Sequence, residues 1–230
     1  MQQNTNSKPS RGTCFIDAQH AHLHKAIPSL LKAPLHGLHS WRVGATEPVS
    51  AFAERRGWIQ PIGNTVTTPE QIERESHSFE RLYIPGEFCR QGDVLSAAAQ
   101  SGKTILLERG AFLAPSDILR AVDKLGSARE RLILVEAGSA FGYSDRVLDP
   151  RSLHVMATLG IPLALNLNSL TASVGVPYQH RPTWLSDAEF DLAFVQTALA
   201  FNTEYLILPT FRELSPKALA LWIDSCKESL

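Results

Sequence analysis

From Thr13 onward, short apolar runs of strand composition alternate with longer stretches whose apolar residues recur every three or four positions, the pattern of repeated strand-helix units. The runs Thr13–Asp17, Leu30–Ala33, Trp58–Ile62, Arg81–Ile84, Thr104–Leu107, Arg131–Val135, Pro162–Leu167 and Glu204–Leu208 predict strands. Helices are predicted between and after them, at Pro48–Arg56, Pro69–Glu75, Asp93–Ser101, Pro115–Leu125, Pro150–Leu159, Asp187–Phe201 and Pro216–Lys227. Several open on Pro or an acidic first turn, as helix N-termini prefer. In Ala114–Pro115–Ser116–Asp117 and Leu214–Ser215–Pro216, Ser is the expected cap and Pro supplies the helical φ.

About eight strands is the number that closes a (β/α)8 barrel. An open doubly wound sheet has the same alternation, but no GxGxxG follows a strand and no GxxxxGK[ST] occurs. Gly102–Lys103–Thr104 ends like a phosphate loop, yet it lacks the earlier glycine and leads into a strand. The expectation is a compact α/β barrel over 12–230 as one domain, with a short first helix, short mouth loops and a polar, disordered leader over 1–11.

Composition narrows the function classes. With 22 basic and 23 acidic residues the formal net charge is -1, which argues against a nucleic-acid or membrane-surface partner. No apolar run approaches the roughly 20 residues of a spanning helix. Cys14, Cys89 and Cys226 offer neither a disulfide framework nor a CxxC pair, so a cytoplasmic setting is expected.

The stretch 84–159 carries the most specific signal. It contains Cys89–Arg90–Gln91 after a strand ending in Pro, Glu108–Arg109–Gly110 before Phe112–Leu113–Ala114–Pro115, and Phe141–Gly142–Tyr143. Asp149, Arg151, Ser152, Leu153 and Met156 follow at a helix start. This stretch resembles the middle of the 3-deoxy-D-manno-octulosonate 8-phosphate (KDO-8-phosphate) synthase family. Gly12–Asp17, Leu31–Ala33 and Leu38–Arg42 extend the resemblance at lower similarity.

The resemblance implies a (β/α)8 barrel condensing phosphoenolpyruvate with arabinose 5-phosphate at the carboxyl ends of its strands. Holding two phosphates and a carboxylate requires converging Lys and Arg. Some members also hold a divalent ion on Cys, His, Glu and Asp. By the same resemblance Lys32, Arg90 and Arg109 are the candidate substrate-binding residues, and Cys14 stands at a ligand position.

Much of that set is replaced. The sugar-side phosphate loop has no counterpart at Pro34–Gly37; Glu108–Arg109 stands for paired lysines; Ala137 stands for an Arg; and Ser169 stands for a metal-binding His. No cofactor and no divalent metal are therefore expected, and Cys14 reads as a buried strand residue rather than a metal ligand. Lys32 could be a solvated loop Lys, and Arg90 could pair with Glu87 or Asp93. Asp149 suits an N-cap. His20, His22 and His24 alternate and in a strand would share one face as a candidate metal cluster, but their neighbours argue for a short helix or loop; His36 and His39 flank the shortened loop and could contact an anion if protonated, and Glu213 as a substitute ligand adds little.

Two functions remain open. One is an active, metal-independent synthase for phosphoenolpyruvate or another small phosphorylated anion with an altered aldose phosphate. The other is a non-catalytic or strongly impaired paralogue that forms a homo-oligomer or assembles with a related synthase.

Overall fold

The computed structural model describes residues 13–17, 34–35, 63–140, 146–173, 176–177, 193–194, 196–198, 200–201 and 203–209. The strands are β1 (Thr13–Asp17), β2 (Pro34–Leu35), β3 (Gly63–Thr65), β4 (Arg81–Ile84), β5 (Thr104–Glu108), β6 (Leu132–Glu136), β7 (Leu163–Asn166), β8 (Ala172–Ser173), β9 (Val176–Pro177) and β10 (Tyr205–Pro209). The helices are α1 (Pro69–Ser76), α2 (Gly92–Gln100), α3 (Leu119–Leu125), α4 (Pro150–Ala157) and α5 (Leu167–Thr171). One sheet runs in the order β2-β1-β10-β7-β6-β5-β4-β3, and β8 and β9 form a separate hairpin.

From β3 through β7 to β10 every pairing is parallel. The helices α1 to α4 are each inserted between two successive strands of this array, giving an α/β architecture. The expected all-parallel closed barrel is met in part. β1 runs antiparallel to β10, with Thr13 opposite Pro209 and Asp17 opposite Tyr205, and among the described residues no ladder joins β2 to β3. Sequence alternation marks which residues are extended. It does not set strand direction, and an antiparallel strand beside a parallel set satisfies the same backbone groups.

Both faces of the parallel strands are apolar. Leu82, Ile84, Ile105, Leu107, Leu132, Leu134, Leu163 and Leu165 lie in the larger core cluster, together with Ile72, Leu95, Val122 and Leu153 of the helices. The intervening positions Tyr83, Leu106, Ile133, Val135, Ala164 and Ile207 form a second cluster on the opposite, inner face. Each fully buried aliphatic side chain contributes roughly 1.5–3 kcal/mol relative to exposure. Burial on both sides is the reason the strands read as continuous apolar runs.

Helix starts follow the sequence with one correction. Thr68 caps α1 by accepting from the Gln71 N–H at 3.3 Å, and Asp149 caps α4 by accepting from the Arg151 N–H at 2.9 Å. Before α3 the chain forms a 3-10 turn at Pro115–Ile118, and its N-cap, Ala114, supplies no side-chain bond. Ser116 falls inside that turn rather than ahead of it, so it cannot cap. The predicted strands at 30–33 and 58–62, the helices at 48–56 and 216–227, and the histidines at 20, 22, 24, 36 and 39 lie outside the described residues. No helix among the described residues is long and apolar enough to cross a membrane.

Candidate functional site

The carboxyl ends of the parallel strands bring charged side chains into a region where the strands themselves are apolar. At the end of β5 the two-residue alternation of a strand decides which way each charge faces. Leu106 lies in the inner cluster and Leu107 in the helix-side cluster, so Glu108 follows Leu106 inward and Arg109 follows Leu107 outward. On β6 the same rhythm places Val135 inside and Glu136 outside.

Arg109 and Glu136 therefore meet on the helix side, both fully buried. The Arg109 Nε donates to Glu136 Oε2 at 2.8 Å and its Nη2 to Glu136 Oε1 at 2.7 Å, a two-pronged pair. The remaining donors go to Ser139 Oγ at 2.9 Å, the Gly110 carbonyl at 3.2 Å and the Leu113 carbonyl. A guanidinium has five N–H donors, and all five have acceptors within the chain. Glu136 Oε1 also takes the Gly138 N–H at 2.7 Å. The pair joins the loops after β5 and β6.

A second network lies on the inner face. The Tyr83 hydroxyl donates to Glu108 Oε2 and accepts from Asn166 Nδ2 at 3.0 Å, which links β4, β5 and β7. From the loop after β6, Arg146 Nη1 donates to Glu108 Oε1 at 2.8 Å and to the Ala137 carbonyl at 3.3 Å. Gly138 makes this approach possible. Its φ is +83°, and a Cβ there would stand 2.9 Å from Arg146 Cβ and 2.7 Å from a Leu170 methyl.

Burial, the largest influence, lifts the Glu108 carboxyl above its ordinary range, against the opposing pull of Arg146 and of the Tyr83 hydrogen bond. Burial and the neighbouring Glu108 push the Tyr83 phenol well above its ordinary range, so it stays a neutral donor. Cys89 is buried, and that burial raises its thiol.

The sequence-predicted residues fare differently. Arg109 is in place but engaged within the protein. Arg90 is exposed in the turn after β4, and none of the described residues bonds its guanidinium; the pairing with Glu87 or Asp93 that the sequence left open is not formed. The structure does not bring Arg90 into either network. Lys32 and Glu213 lie outside the described residues, as does Phe141–Gly142–Tyr143. Asp149 and Arg151 pair with each other at 2.8 Å, so Arg151 turns back onto its own cap.

Cys14 is described in its backbone alone; its cross-strand neighbours, Pro34 and Leu208, are not ligand types. Among the described residues no three His, Cys, Asp or Glu side chains converge to hold an ion.

Tyr83, Arg146, Asn166 and Glu136 are the members that sequence reasoning did not single out as site residues. A carboxylate closing an otherwise apolar strand, as in Thr104–Glu108 and Leu132–Glu136, was the available signal, because a buried charge requires a partner. Nothing in the local sequence pointed to Arg146 as that partner.

Comparison with known proteins gives a consistent set of relatives. The chain is 34% identical over 175 residues to the 2-dehydro-3-deoxyphosphooctonate aldolase of Syntrophotalea carbinolica, a match covering 74% of this chain and 62% of that protein. Proteins of the same name from Geobacter sp. (strain M21) and Brucella anthropi are 39% identical over 118 residues and 31% identical over 173 residues. Those matches cover 51% of this chain and 42% of the Geobacter protein, and 74% of this chain and 61% of the Brucella protein. The chain thus spans less than two thirds of the length of each of these relatives. No model of a known protein family matches it.

Proposed function

Because the chain is a divergent member of the KDO-8-phosphate synthase (2-dehydro-3-deoxyphosphooctonate aldolase) family, we propose that it keeps the family's (β/α)8 barrel and has lost, wholly or nearly, the condensation of phosphoenolpyruvate with arabinose 5-phosphate. The end of β5 carries the proposal. The resemblance puts two lysines there for phosphorylated substrates. Here an acid faces inward, and the one cation faces outward with every donor engaged.

A missing charge-assisted hydrogen bond costs about 1.5–3 kcal/mol. Two missing bonds amount to about 3–6 kcal/mol, or roughly a hundredfold to ten-thousandfold in affinity. Selective stabilisation of a transition state needs converging charges of this kind. The role left to such a chain is assembly, with itself or with a complete synthase, and the exposed Phe112 and Val147 supply apolar surface for it.

The test is phosphate release by the full chain from phosphoenolpyruvate plus arabinose 5-phosphate, with and without added divalent metal. The expected result is no release above the enzyme-free rate. Turnover at the ordinary enzymatic ~1–1000 per second overturns the proposal.

One observation favours a second reading. Arg146 delivers a guanidinium to the end of β6, where the resemblance expects an Arg at 137. On that reading the chain is a metal-independent synthase with an altered aldose phosphate. Chelator-insensitive phosphate release with another aldose phosphate would mark it.

A further inference from the structure

We propose that Arg146 is the anion-binding residue of the mouth, taking one small oxyanion, a carboxylate or a phosphate, and that Glu108 both holds its guanidinium in place and weakens the binding. This rests on the reading that the double-phosphate cradle is gone, because it assigns what the described mouth can still hold.

Arg146 is fixed at one corner and open at the others. Nη1 is tied to Glu108 Oε1 and to the Ala137 carbonyl, while Nε and Nη2 donate to no acceptor among the described residues. A quarter of the Arg146 side chain is exposed, so the guanidinium retains access to solvent. Nε and Nη2 make the flat edge that grips two oxygens of a carboxylate or phosphate at once.

The tether reduces the ordering that binding would otherwise require. Glu108 is itself held by the Tyr83 hydroxyl, and Tyr83 by Asn166. A chain of hydrogen bonds from three strands thus positions a residue borne on a loop. Gly138 adds the room through which Arg146 enters.

Specificity follows from the count of open donors. One guanidinium edge serves one oxyanion. Arg109, the alternative that the sequence offered, has no donor left for a second. Glu108 is an internal anion on the same guanidinium, so it competes with whatever binds. Its neutral isostere should relieve that competition while keeping the volume.

The experiment is calorimetric titration of the full chain with inorganic phosphate, pyruvate and phosphoenolpyruvate, separately. The wild type, Glu108→Gln, and Glu108→Gln combined with Arg146→Met are compared. The double variant leaves no buried carboxylate without its partner, so a folded protein is retained and checked by its urea midpoint. The expected result is weak binding by the wild type and at least tenfold tighter binding by Glu108→Gln. The gain should be lost when Arg146→Met is added. Preference for phosphate over pyruvate, or the reverse, assigns the oxyanion.

Failure of all three probes to bind Glu108→Gln overturns the inference, and so does binding that survives Arg146→Met. Phosphate release measured on the same wild-type sample judges the loss of catalysis independently. Turnover together with Arg146-dependent binding would sink that reading and leave this one standing.

Discussion

Replacing Arg109 by Met tests whether this residue is a fastener or a substrate ligand. The substitution preserves length and apolar bulk but strands Glu136, which is fully buried and among the described residues would keep only the Gly138 N–H. It also deprives the Leu113 carbonyl and the Ser139 hydroxyl of their guanidinium donors. Breaking a buried pair from one side costs about 3–5 kcal/mol. A whole domain has only about 5–15 kcal/mol of stability to lose. With a urea dependence of about 2–3 kcal/mol per molar, the unfolding midpoint should fall by roughly 1–2.5 M.

The companion variant, Arg109→Met with Glu136→Gln, removes the stranded charge and should recover at least about 1 kcal/mol of that loss. Circular dichroism through a urea titration reads both. A midpoint shift under about 0.5 M for the single variant, or a double variant no more stable than the single, would refute the fastening role. If Arg109 served substrate instead, the single variant would unfold like the wild type and lose anion binding.

Two further outcomes follow from the local geometry. Gly86→Ala would place a Cβ 2.9 Å from Gly110 Cα and 3.0 Å from the Arg109 carbonyl, backbone atoms that cannot swing aside. A loss of about 1–3 kcal/mol is expected in the same titration, and an unchanged midpoint would show that the loops after β4 and β5 are not clamped together. Asp149→Ala removes the α4 cap at about 0.5–2 kcal/mol. The folded state holds the Asp149 carboxyl below its ordinary 3.8, through the Arg151 hydrogen bond first. The difference between variant and wild type should therefore be complete above about pH 4 and shrink as the pH falls through the folded-state value; a difference independent of pH across that window contradicts the pairing.

The apolar pattern made much of the fold legible. β1 and β4 fall within the predicted bounds, and β5, β6, β7, β10, α1, α2 and α4 within a residue or two, because strands buried on both faces and amphipathic helices imprint their periods directly. Strand direction was not legible. Thr13–Asp17 looks the same run either way, and its pairing with β10 depends on residues almost two hundred positions distant.

At the site, Glu108 and Ala137 were legible as departures from the residues the resemblance expects. What the residues do instead was not. Arg109 and Glu108 are adjacent in sequence yet serve opposite faces, and the partner of Glu108 arrives from position 146, 38 residues on. Hydrogen bonding across strands has no local signature beyond an unexplained charge at a strand's end.

The reversed course of β1 carries a last consequence. Since Thr13 lies opposite Pro209 at the finish of β10, the rim on that flank is furnished by the opening residues of β1, with Cys14 opposite Leu208. Asp17, beside Tyr205, is carried to the floor, some three residues' rise below. Run the other way, the same five residues would set Asp17, not Thr13, beside the carboxyl end of β10.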